Sequence, residues 1–237
     1  MASAKNDRDP HRISIILPTL NEGPMLERCL QDLQPLRRDG HELIVVDGGS
    51  QWELPRGIES LVDRLLQSPP GRARQMNSGA MKASGEIYWF LHADSRISDA
   101  LVEAIVEAAG PGIFWGRFDV RLSGSHPLFR IIERMMNWRS RLSGIATGDQ
   151  GIFVDRHLFT RVGGFPEQPL MEDVEISRRL KRIVPPFNLP GPLLTSSRRW
   201  ESHGILRTIL LMWMLRLAYW LGISPRHLAR LYAPGTD

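Results

Sequence analysis

Three observations predict an α/β fold with a mostly parallel central sheet and helices on both faces. Three short apolar runs, Ile13 to Leu17, Leu43 to Val46 and Ile87 to Leu91, have the length and residue types of buried strands. Between them stand segments whose apolar residues recur at helical spacing, the alternation expected of such a sheet. Each run also stops abruptly at a polar cluster: Thr19 to Glu22, Asp47 to Ser50, and His92 to Asp94. Ligands of open α/β sheets bind outside the carboxyl ends of the strands, so the three clusters mark one expected site.

In chain order, the first strand leads through Pro18 and Thr19 into a helical stretch from about Pro24 to Leu33. The second ends at Asp47-Gly-Gly-Ser50. After a segment broken by Pro and Gly, Ala73, Met76, Ala80 and Ala83 form a helical stripe that stops at Gly85. Arg72, Gln75 and Gly79 fall on one face of that helix, opposite part of the stripe. Beyond Ala100 the pattern loosens. Ile113 to Val120 reads as a strand, Leu128 to Leu142 as a basic amphipathic helix, and Gly148 to Val154 as a loop entering a strand. Glu172 to Lys181 reads as a helix with three acids in its first turn, and Gly204 to Leu221 is strongly apolar apart from Arg207 and Arg216. No internal repeat or low-complexity linker appears, which favours one continuous domain over about 12–203. A polar, disordered tail precedes it (1–11) and a helical segment follows (204–237).

The 237 residues are enough to bury a real core, and 42% hydrophobic with 24% charged residues argues against disorder. A formal charge of +4 and a pI near 9.7 favour anionic partners. The single cysteine, Cys29, excludes an internal disulfide framework and a cysteine-rich zinc site, and it fits a reducing compartment. The first ten residues are polar, without the apolar core of a signal peptide, so the expectation is a cytoplasmic protein.

Each polar cluster admits two readings. Asp47 could meet a base or ribose while the glycines let the backbone approach, or it could only close a strand-to-helix turn. Asp94, at the exit of an apolar strand, is placed to hold a hard divalent ion against a diphosphate, or to cap the next helix, which Ser98 could cap as well. Arg72 near a helix start could meet phosphate or stay solvated. The acids Glu172, Asp173 and Glu175 suit a helix amino end whatever their function, and one could serve as a general base. Arg198-Arg-Trp200 with His203 could neutralise a diphosphate, sit at a membrane surface, or be solvated.

Taken together and in order, seven segments resemble the family 2 glycosyltransferases. They are Leu17-Pro-Thr-Leu-Asn-Glu22, Val45-Val-Asp-Gly-Gly-Ser50, Gly71-Arg-Ala-Arg-Gln-Met-Asn77, Phe90-Leu-His-Ala-Asp94, Gly148-Asp-Gln-Gly151, Gly163-Gly-Phe165 and Met171-Glu-Asp173. The likeness runs over roughly 12–232 and is similar above all to a compact bacterial branch labelled arsenosugar-biosynthesis or radical-SAM/selenodomain-associated. It implies a GT-A (Rossmann-like) fold with a nucleotide-binding half at about 12–97 and an acceptor-binding half at about 98–203. It further implies an inverting transferase using a nucleotide-sugar donor, a UDP-sugar, with Mn²⁺ or Mg²⁺. Pro18, Thr19, Glu22 and Asp47 would line the nucleoside pocket. Asp94 would carry the metal in a DxD-type motif, with His203 as a second ligand and His92 where many relatives have the first aspartate. Asp173 would be the catalytic base, with Glu172 the next candidate. Asp149, Gln150 and Glu172 would face acceptor or sugar, and Arg72, Arg198 and Arg199 the diphosphate.

Two other classes share features with this sequence. A sugar nucleotidyltransferase needs a Gly-rich basic loop after the first strand, whereas Pro18 to Glu22 is acidic and lacks glycine until Gly23. A non-catalytic membrane-surface protein would not need both Asp94 and Asp173. The expected partners are the donor and an acceptor of unstated identity, not nucleic acid. For 204–237, Arg207 and Arg216 are nine residues apart and project from opposite sides at about 100° per residue. A span of about 20 mainly apolar residues is therefore not available. Packing on the domain, a homodimer contact, or a peripheral seat at the inner face of the membrane remain open for it.

Overall fold

The computed structural model describes residues 11–51 and 54–232, without the side chains of Asp99, Arg199 and His203. Its elements begin with β1 (Ile13–Thr19), α1 (Gly23–Asp32), α2 (Gln34–Arg38), β2 (Glu42–Asp47), α3 (Ile58–Leu61), β3 (Arg64–Gln67), α4 (Arg72–Lys82), β4 (Ile87–Phe90) and α5 (Asp99–Ala108). They continue with β5 (Trp115–Leu122), α6 (Pro127–Ser143), β6 (Phe153–Asp155), α7 (Arg156–Arg161), α8 (Glu172–Lys181), β7 (Phe187–Thr195), α9 (Arg198–His203), α10 (Ile205–Trp220) and α11 (Pro225–Tyr232).

The strands form one sheet in the order β3-β2-β1-β4-β6-β5-β7. Strands β1, β2, β3 and β4 pair in parallel, as do β5 and β7, and β6 runs against both its neighbours. The mixed α/β, mostly parallel sheet is the predicted one. Its central strands are buried on both faces, which is why their sequences read as continuous apolar runs. Side chains alternate as a pleated strand requires. Ile13, Ile15, Leu17, Val45 and Trp89 face α1 and α5, while Ile16, Val46, Tyr88 and Phe90 face α4 and α7.

Two strands escaped the sequence reading for physical reasons. β3 is a four-residue edge strand with two exposed polar ends. β7 carries Pro190, Gly191 and Pro192, which belong in a strand only at a sheet edge, where β7 lies. The α4 face also needs correction. Gln75 and Gly79 do not stand opposite the stripe but are buried with Ala73, Met76 and Ala80. A Cβ on Gly79 would come within 2.5 Å of Ile16 Cγ2, so the glycine lets α4 press onto β1.

The C-terminal helices complete the fold. α10 packs Leu215 with Leu228 of α11 and with Met171 and Val174 at the start of α8. Arg207 and Arg216 do project apart, Arg207 into solvent and Arg216 toward the protein. No helix among the described residues is long and apolar enough to cross a membrane.

Candidate active site

The carboxyl ends of β1, β2 and β4 meet at one sheet edge, with Thr19 in register with Asp47. Because β6 is reversed, the turn that precedes it, Gly148–Gln150, arrives at this same edge beside the exit of β4. There the His92 Nδ1 lies 3.4 Å from Asp149 Oδ1. A Cβ on Gly148 would come within 2.7 Å of His92 Nε2, so a glycine lets imidazole and loop approach this closely. Burial would raise the Asp149 carboxyl, but the His92 hydrogen bond and charge, with Arg72 and Arg216, bring it down to about 2. The Asp149 side chain is 46% exposed.

His92 stands between two spaces. On one side is a cleft of about 290 Å³ lined by Pro18, Thr19, Glu22, Arg72, Gln75 and Asp94. Thr19 Oγ1 and Asp94 Oδ1 are buried without a hydrogen-bond partner. Burial lifts Asp94 above the usual carboxylate range, His92 and Arg72 pulling against that lift and Asp149 adding to it. Among the described residues no three His, Cys, Asp or Glu side chains gather to hold a metal. The unpartnered Asp94 oxygen in the cleft is the one feature among these residues that would suit a hard divalent ion beside a phosphate. Gln75 is spent on structure, donating to the carbonyls of Thr19 and Val46 at 2.7 and 2.9 Å.

On the other side of His92 is a small recess lined by Phe90, Gly148, Phe165, Glu172 and Asp173, among others. Met171, with φ at 65°, turns the chain into α8 and puts both acids in its first turn. Asp173 accepts hydrogen bonds from the backbone N–H of Gly148 at 3.0 Å and of Val174 at 2.7 Å. These two donors orient the carboxylate while leaving lone pairs free. Glu172 is 7% exposed, and burial first, then Asp173, pushes its carboxyl up to about 7 against the pull of Arg72. Arg72 is solvent-exposed, lines the cleft, and stands within electrostatic reach of Glu172, Asp149 and Asp173. Asn77 clips Phe165 into the recess through paired amide hydrogen bonds of 2.8 and 2.9 Å.

The remaining expected residues divide. Arg198 reaches the cleft rim, its Nη2 3.6 Å from Glu22 Oε2. Asp47 does not line the cleft. It is 5% exposed, and its carboxylate closes its own turn by accepting from the Ser50 N–H and, at 2.6 Å, the Ser50 hydroxyl. Gln150 faces neither acceptor nor sugar: it is fully buried, bonded to the Thr147 N–H in a capping box that braces the loop carrying Asp149. The side chains of Arg199 and His203 lie outside the described residues. Sequence reasoning missed Arg139 and Arg216, which lie near Asp149 and Asp173. The signal for Arg216 was a charge on a helix apolar all round; Arg139 was one of many cations on its helix and gave none.

A Rossmann-like sheet thus places a cleft at its strand ends, with a carboxylate on either side of a histidine. The profile described as Glycosyl transferase family 2 matches residues 14–164, and the chain belongs to that family. An uncharacterized glycosyltransferase of Mycobacterium tuberculosis is 33% identical over 164 residues, 65% of this chain and 62% of its own length. The chain thus spans less than two thirds of that relative. The fold is similar to the mannosyltransferase PcManGT of Pyrobaculum calidifontis in complex with GDP-Man and Mn²⁺ (TM-score 0.57, 23% identity, 80% of this chain and 58% of that one). It is also similar to S. aureus TarS 1-349 in complex with UDP-GlcNAc (TM-score 0.62, 16% identity, 78% and 58%).

Proposed function

We propose that this chain is an inverting transferase that moves a sugar from a UDP-sugar onto an acceptor hydroxyl, with Mn²⁺ or Mg²⁺ held at Asp94. One observation carries this reading: two carboxylates flank His92, Asp94 with a partnerless oxygen in the cleft and Asp173 oriented by two backbone N–H groups in the recess. Pro18, Thr19 and Glu22 bound the nucleoside side, with Asp47 shaping the turn behind them. A bound metal, with His203 as its second ligand, would supply charge neutralisation for the diphosphate, to which Arg72, Arg198 and Arg199 contribute. Asp173 takes the proton of the acceptor hydroxyl as its oxygen attacks the anomeric carbon. The new C–O bond forms opposite the breaking bond to the diphosphate, which leaves with that bond's electron pair, so the configuration inverts. Asp149 and Glu172 face the sugar or acceptor. By its run of motifs we place the chain in the compact bacterial branch named above.

The test is thermal unfolding with nucleotides and metal. A ligand that binds only the native state raises the melting temperature by mass action. UDP with Mn²⁺ or Mg²⁺ is expected to do so, and Asp94→Ala to remove the metal-dependent part. Unmoved melting curves with UDP, GDP and dTDP, metal present, would sink the donor assignment.

We also propose a cytoplasmic protein that rests peripherally on the inner face of the membrane. Its support is an exposed apolar stripe on α6 (Ile131, Met135, Trp138, Leu142) beside another on α10 (Leu206, Leu210, Trp213, Leu217, Trp220). Exposed Arg134, Arg207, Arg226 and Arg230 carry charge complementary to anionic lipid.

A further inference from the structure

Arg139 projects from α6 and Arg216 from α10, which lie side by side where Ile132 meets Ile205 and Ile209. Both arginines stand within electrostatic reach of Asp149 and Asp173. Yet among the described residues neither has a carboxylate within 4.0 Å. Arg139 Nε and Nη2 are buried and have no hydrogen-bond partner. Burial and the charge of Arg216 lower Arg139 to about 10, with Asp173 and Asp149 pulling back, and Arg216 is lowered by burial in the same way. Arg139 therefore keeps its charge at neutral pH, and a guanidinium such as that of Arg216 is not deprotonated in proteins.

Such an arrangement is costly. Buried guanidinium N–H groups nearly always have partners, and each one left without a partner loses its hydration for nothing. Two cations set side by side add repulsion. The protein's own acids relieve it only in part: Asp149 and Asp173 act on the pair from a distance, Asp149 being engaged with His92 and Asp173 with the Gly148 and Val174 amides. The two planar forks match the oxygens of an oxyanion, and two positive charges match the double charge of a phosphate better than the single charge of a carboxylate.

We propose that Arg139 and Arg216 bind a phosphate group of the acceptor, so that the acceptor is a phosphorylated hydroxyl compound. This rests on the transferase reading of the cleft, with the phosphate lodged beside Asp173 and the hydroxyl in front of it. A soluble phosphate ester and a phospholipid headgroup offer the same chemistry, and the apolar stripes of α6 and α10 border the arginine pair.

Calorimetric titration of inorganic phosphate into protein saturated with UDP and Mg²⁺ tests the site, since the donor side is then filled. Phosphate is expected to bind, and Arg139→Gln or Arg216→Gln to weaken it at least about tenfold, the worth of one charge-assisted hydrogen bond. Arg216→Lys, which keeps the charge but loses the fork, is expected to fall between wild type and Arg216→Gln. The UDP-dependent rise in melting temperature reports folding of each variant, and Arg216→Gln carries the test alone if Arg139→Gln does not fold. Phosphate that fails to bind UDP-loaded protein, or binds both Gln variants as well as wild type, overturns the proposal. Failure of UDP itself to bind is a separate result, which overturns the donor reading. Competition by glycerol 3-phosphate identifies a soluble source. Competition by phosphatidylglycerol vesicles, but not phosphatidylcholine vesicles, identifies a lipid one. Displacement by neither overturns the acceptor assignment.

Discussion

At the residue scale, the two acids that open α8 hold different chemistry in adjacent positions. Asp173 is oriented by backbone donors and open to the recess, whereas Glu172 is buried and pushed up to about 7. Asp173→Asn keeps the size and removes the proton acceptor. It is expected to cut turnover by roughly 10²–10⁴-fold, the range of a positioned general base, while UDP still raises the melting temperature. Near-normal turnover would transfer the role to Glu172. The raised Glu172 also has a stability consequence. Between its ordinary value of 4.5 and about 7, the folded protein holds a proton there that the unfolded chain has released. Its contribution is complete below about pH 4.5 and is lost as pH rises through about 7. Glu172→Gln mimics the neutral form, so its melting temperature should decline less than that of wild type from pH 4.5 to 7. Parallel curves for the two proteins would show that the carboxyl ionises there as it does in the unfolded chain.

At the element scale, the site depends on how closely α4 approaches β1 and β2. Gly79 allows that approach, and Gln75 ties the helix to the ends of both strands. In Gly79→Val the added methyls meet Ile16 and Val46, and overpacking of this kind costs about 1–3 kcal/mol. At roughly 2–4 °C per kcal/mol for a chain of this size, calorimetry should show a clear fall in melting temperature. UDP affinity should fall with it, because Arg72 and Gln75 move with the helix. An unchanged melting temperature would mean that α4 stands farther from the sheet. α8 shows the opposite case, an element legible from sequence to the residue: its expected span, Glu172 to Lys181, is the observed one. Acids at its start and Arg178, Arg179 and Lys181 at its end complement the helix dipole, and such local chemistry needs no tertiary partner.

At the scale of the whole molecule, the long apolar segment does two things at once. One side of α10 closes the core above α8, and the other, with α6, leaves tryptophans and leucines in solvent. Exposed apolar surface on this scale marks an interaction face. Phosphatidylglycerol vesicles should float the protein at low salt, and Trp213→Ser with Trp220→Ser should abolish that without changing UDP binding. Absence of flotation together with a concentration-dependent dimer on sizing would assign the face to a second copy of the chain.

From the sequence alone came the central strands, the polar clusters at their ends, and the residues of the cleft: Pro18, Thr19, Glu22, Arg72 and Asp94. Those features are local, since an apolar run of strand length and a polar stop are written in consecutive residues. Tertiary structure alone decided the rest. Reversal of β6 brings Asp149 to His92 across 57 residues, and no local pattern encodes strand direction. Gln150 and Asp47 carry the polar character of ligand contacts, yet the fold commits them to a capping box and a turn. Arg139 and Arg216 come from helices far apart in the chain, and only the packing of α6 against α10 sets the two charges within electrostatic reach of Asp173. Distance along the chain hides such pairs, because charge acts through space and burial decides how strongly.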